Sequence, residues 1–67
     1  MGVAAKLRHD AILDYLRQHG RIYVNDIAAK LGVTEVTIRR DMVHLQNNGL
    51  LQKTYGGAVL ASPEVNP

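Results

Sequence analysis

The chain has 67 residues, 46% of them apolar, with no Cys, Trp or Phe; that length supports one small domain, and the missing thiols exclude disulfide staples and thiolate metal sites. No apolar run approaches the ~20 residues needed to span a bilayer, and residues 1–5 lack the long apolar core of a secretory signal, so a soluble cytoplasmic protein is expected. Eight Lys and Arg against six Asp and Glu give a net charge of +2, which permits a polyanionic partner without demanding one.

In chain order, Ala4, Leu7, Ala11, Ile12, Leu13, Tyr15 and Leu16 follow a helical rhythm that predicts an amphipathic helix over residues 4–19, ended by Gly20. Residues 21–24 alternate β-branched and aromatic side chains, enough for a short strand at a sheet edge. A second helix opens at Asn25 or the residue before it and runs to Leu31, with Asp26 in its first turn and Ile27, Ala28 and Leu31 inward. Gly32, Val33 and Thr34 then form a three-residue turn, the spacing of a helix-turn-helix. Thr34 caps a third helix that starts at about Glu35 and runs to about Asn48. Its Ile38, Met42 and Leu45 share a core face, and Thr37, Arg40 and His44 lie on the other side. Beyond Gly49 the period changes to that of strands: residues 50–55, a tight turn at Gly56-Gly57, and residues 58–61 predict a hairpin. Residues 62–67 carry two prolines and no periodicity, as a tether would.

The expected fold is therefore mainly α (α+β): three helices, a short lead-in strand and a C-terminal two-stranded wing, a winged helix-turn-helix. Residues 22–41, with Leu45, Gly49, Leu50 and Tyr55-Gly56-Gly57-Ala58, resemble the N-terminal DNA-binding domain of the DeoR family of bacterial transcriptional regulators. The most specific match is Thr37-Ile38-Arg39-Arg40-Asp41-Met42 followed by a Gly-Gly-Ala wing. In two places the sequence departs from the family's habit: Tyr55 stands where His is frequent, and Tyr23 where a small hydroxylated residue commonly caps the second helix. The resemblance implies double-stranded DNA as partner and transcriptional regulation, most often repression of a carbohydrate-related operon. It also implies a larger C-terminal domain that senses a phosphorylated sugar and assembles oligomers. On this reading residues 1–61 are the DNA-binding domain, with the helix-turn-helix unit at 22–41 and the wing at 50–61. Residues 62–67 are the linker to the effector domain, and the isolated domain is a monomer.

Candidate DNA contacts are Thr34, Glu35, Val36, Thr37, Arg39 and Arg40 on the third helix, Lys53, Tyr55, Gly56 and Gly57 on the wing, and Tyr23. Arg40, opposite Ile38 and Met42, is the leading reader, since an Arg can chelate both acceptors of a guanine. Arg39 has a competing local explanation, an i,i+4 pair with Glu35. Glu35 ranks lowest, as a residue that compensates the helix dipole. Val36 suits a thymine methyl or is an incidental surface aliphatic, and Tyr23 is a phosphate contact or an edge-packing aromatic. The wing turn would offer backbone N–H groups to a phosphate, or serve only as a turn. Asp41 is expected to orient a basic neighbour. His9, His19 and His44 are too widely spaced for a metal site and are expected at the surface, and Asp10 with Asp14 has no nucleophile to serve. No metal, cofactor or enzymatic activity is expected. The rivals to DNA binding are a winged-helix protein adaptor, favoured by the low net charge and by Glu35, and an RNA-binding domain, which lacks an exposed aromatic platform.

Overall fold

A computed structural model describes residues 4–61, so the tether assigned to residues 62–67 lies outside the described residues. Helix α1 (Ala5–His19) places Ile12 and Leu16, one turn apart, fully inside the core. Strand β1 (Arg21–Tyr23) buries only Ile22. Helix α2 (Val24–Leu31) starts on Val24, the earlier of the two starts the sequence allows, so the strand ends one residue short of its expected bound and Val24 supplies the first buried side chain of the helix. Helix α3 (Glu35–Asn47) buries Ile38, Asp41, Met42 and Leu45. The wing is β2 (Leu51–Thr54) and β3 (Gly57–Leu60), which send Leu51 and Ala58 into the same core.

The strands form one antiparallel sheet in the order β1-β3-β2. The lead-in strand is thus an edge, as its length suggests, and it pairs with the returning wing strand across the whole helix-turn-helix. Arg21 faces Val59, Ile22 faces Ala58 and Tyr23 faces Gly57. That pairing makes the wing part of the domain instead of a free hairpin.

It also shifts the turn. Gly56 and Gly57 are not the two turn residues: Thr54 pairs with Gly57, so the turn is Tyr55-Gly56, and Gly57 is buried as the first residue of β3. A Cβ on Gly57 would lie 1.9 Å from the Ile22 carbonyl oxygen, so the close approach of β1 demands glycine there.

Candidate nucleic-acid interface

The turn between α2 and α3 is closed by backbone hydrogen bonds. Gly32 adopts φ +68, its N–H donates to the Ala29 carbonyl, and the Val33 N–H donates to the Ala28 carbonyl at 3.0 Å. This double closure ends α2 and lets Val33 pack, half-buried, on the core. One residue later Thr34 accepts the Thr37 N–H on its hydroxyl at 3.2 Å, capping α3 as expected. Tyr23, at the corresponding position before α2, makes no side-chain cap and is about half exposed.

With Ile38, Met42 and Leu45 turned inward, the helical period places Val36, Arg40, Val43 and Asn47 on the opposite face, all exposed. Among the described residues Arg40 has no ion pair, so its guanidinium is available to a partner. Val43 and Asn47 extend this exposed row beyond residue 40, where the contacts expected from sequence end. Their signal was present, since they follow Arg40 at i+3 and i+7. The two flanks of α3 differ. On one, Arg39 donates to Glu35 Oε1 at 3.0 Å, both side chains about half exposed.

On the other flank, Asp41 is buried. Its carboxylate accepts from Arg8 Nε at 2.6 Å and Nη2 at 3.0 Å, a two-pronged grip from α1. His9 Nε2 lies 3.1 Å from the same carboxylate; an ionised carboxylate can only accept, so that nitrogen carries the proton. His9 is accordingly half-buried, not a solvated surface residue, and its ring stacks on His44 with centroids 5.1 Å apart. Burial alone pushes the Asp41 carboxyl up, but hydrogen bonds from Arg8 and His9, with the charges behind them, outweigh it and hold Asp41 below its ordinary value. The Asp41 hydrogen bond in turn raises Arg8, against the opposing effect of burial. Asp41 is therefore the orienting residue the sequence suggested, and its partners fix the roll of α3 on α1.

The wing stands beside the Arg39 flank. Val24 N–H donates to the Gly56 carbonyl at 2.8 Å, tying the wing turn to the first turn of α2. Tyr55 at the tip is fully exposed. Lys53 shares a sheet face with Leu51 and with its cross-strand partner Ala58, both buried, so its side chain leaves the sheet on the α3 side. Arg39, Lys53, Thr54, Tyr55 and Gly56 line a groove of about 230 Å³ between helix and wing. The sequence-proposed residues thus form one surface: Thr34, Glu35, Val36, Thr37 and Arg40 along the start of α3, then Arg39, Lys53, Tyr55 and Gly56 across the groove. Gly57 is drawn into the sheet as a spacer, and Tyr23 sits behind the wing turn, paired with Gly57.

This arrangement coincides with a known family. The DeoR-like helix-turn-helix domain matches residues 8–64. The chain belongs to that family. It is 41% identical over 90% of its length to a protein described as an aga operon transcriptional repressor in Escherichia coli O157:H7, covering 23% of that protein. It is 41% identical over 76% of its length to a lactose phosphotransferase system repressor of Staphylococcus aureus, covering 20% of it. It is 46% identical over 75% of its length to the HTH-type transcriptional repressor GlcR of Bacillus subtilis, covering 19% of it. No solved structure matches the chain significantly. The chain spans about a fifth of the length of these relatives.

As a DeoR-type domain the chain is a DNA-binding winged helix-turn-helix, and nothing among these matches supports the protein-adaptor alternative. These relatives are named as repressors. No helix among the described residues is long and apolar enough to cross a membrane.

Proposed function

We propose that this DeoR-type domain reads DNA sequence with the exposed row of α3 and fixes its register through the wing. Arg40 contacts base edges in the major groove with Thr37 and Val36 beside it, while Thr34 and the backbone at the start of α3 meet phosphates. Glu35 sits at this tip as the residue that limits Arg39. Arg39 and Lys53 hold a phosphate from two sides of the groove, with Tyr55 and Gly56 at its margin, Gly57 keeping the wing strand seated, and Tyr23 behind the turn as an outlying phosphate contact. The observation that carries this reading is the exposed Arg40, without an ion pair among the described residues, on the face of α3 opposite Ile38 and Met42.

The same reading assigns residues 1–61 to the DNA-binding domain, 22–41 to its helix-turn-helix unit, 50–61 to the wing and 62–67 to a linker. The linker leads to a C-terminal domain that senses a phosphorylated sugar and assembles oligomers. The intact protein is then a cytoplasmic repressor of a carbohydrate-related operon, supported by the relatives named as repressors of an aga operon and of a lactose phosphotransferase system.

The test uses duplexes selected by the chain from a random pool, compared with a mixed-sequence duplex. Arg40→Ala is expected to lose ~1–3 kcal/mol of discrimination between the two. Lys53→Ala is expected to weaken both alike and to lower the salt slope by about 1. Unchanged selectivity in Arg40→Ala overturns its assignment as the reader.

A further inference from the structure

We infer that Gln46 is a positioning residue for DNA binding, holding the wing so that Lys53 and Arg39 face one groove; this rests on the DNA-binding reading above. Gln46 lies at the C-terminal end of α3, four residues beyond Met42 and seven beyond Arg39, on the flank of the helix turned toward the wing. Its Oε1 accepts the backbone N–H of Lys53 at 2.8 Å.

Strand geometry explains why that N–H is available. In a hairpin with a two-residue turn the pair flanking the turn, here Thr54 and Gly57, exchanges backbone hydrogen bonds, and the next pair, Lys53 and Ala58, does not. The Lys53 N–H therefore points away from β3, and β2 is an edge with no strand beyond it among the described residues. Such a group would ordinarily bond to water. Instead a side chain from α3 takes it, at the one wing residue whose cation borders the groove shared with Arg39.

Among the described residues, this is the side-chain hydrogen bond between β2 and α3 that joins the wing to the reading helix at the level of the wing's cation. The sheet fixes which strands pair, and the Val24 to Gly56 bond fixes the turn against α2. The Gln46 bond sets the separation of β2 from α3. Gln46 is uncharged, so its loss can change the number of phosphates neutralised only by displacing a cation.

That gives a readout a purely stabilising role would not move. Binding of a short mixed-sequence duplex is measured against salt for the wild-type chain, Gln46→Met, Lys53→Ala and the double variant. Gln46→Met keeps the length of the side chain and removes the acceptor. It is expected to weaken binding about three- to tenfold and to lower the salt slope by about 1, with less than about a twofold further loss when Lys53 is already Ala. Weaker binding at an unchanged slope, equal losses in both backgrounds, or no loss at all would overturn the inference and leave DNA binding standing. A wild-type chain without salt-dependent duplex binding would remove both. If Gln46→Met does not fold, hydrogen exchange at the Lys53 amide of the wild-type chain decides: slowing of roughly tenfold or more against an open edge amide supports the bond, and exchange as fast as such an amide overturns it.

Discussion

Glu35 and Asp41 both sit on α3 and both hold an arginine, Glu35 the exposed Arg39 one turn along the same helix and Asp41 the half-buried Arg8 of α1. The first pair is local and solvated, so screening and side-chain entropy leave it worth little, and its arginine can change partners at low cost. The second is two-pronged, sheltered and reinforced by His9, so it is held more firmly than the first. One helix thus carries a fixed flank that sets its roll and an adjustable flank beside the wing. The exposed row of Val36, Arg40, Val43 and Asn47 lies between the two.

The fixed flank should break with the largest effect. In Arg8→Met the Asp41 carboxylate, 6% exposed, keeps its burial and loses its main partner. Removing one member of a buried pair costs about 3 kcal/mol or more, a large share of the stability a domain of this size can hold. Urea denaturation should show that loss. A loss below about 1 kcal/mol would mean that Asp41 is solvated after all, and the contrast between the flanks would fail.

The same flank should carry much of the acid sensitivity. Asp41 is lower in the folded state than in the unfolded chain, so the stability it contributes is present above the ordinary unfolded carboxylate value. That contribution is lost as the pH falls through the lower folded value. Urea unfolding of the wild-type chain at a series of pH values from neutral down to about 2 should therefore show a loss that flattens in Asp41→Asn. Equal acid slopes in the two proteins would place the lost stability on other carboxylates.

What the sequence made legible follows the range of the interactions concerned. Thr34 could be read as a cap because its acceptor serves an N–H three residues away, and the Gly32 turn because its bonds close within a few residues. The Glu35 to Arg39 pair was legible for the same reason. Asp41 was legible in kind, but its partners Arg8 and His9 lie 33 and 32 residues back, and no local pattern names them. The glycine pair shows the limit most sharply. Either Gly56 or Gly57 would serve a turn, and the choice is made by β1, which approaches Gly57 so closely that no side chain fits. Spacing alone contains no trace of that contact, because Ile22 and the wing are separated in sequence by the whole of α2 and α3.

The adjustable flank should give the smallest effect on stability and a gain in binding. Glu35→Gln removes a pair worth roughly 0.2–0.5 kcal/mol and part of the favourable charge at the start of α3, so unfolding should shift by less than about 1 kcal/mol. Arg39 is then released toward the groove it shares with Lys53. Affinity for a mixed-sequence duplex at low salt should rise up to about fivefold, with a steeper salt slope, since the freed cation displaces a counterion. Adding Arg39→Ala should abolish the gain. A gain that survives without Arg39 would mean that Glu35 acts by repelling phosphates directly, and weaker binding in Glu35→Gln would mean that its carboxylate accepts from a cytosine amino group. Each outcome assigns the first turn of α3 a different task, and only the first keeps its carboxylate as the brake on a mobile arginine.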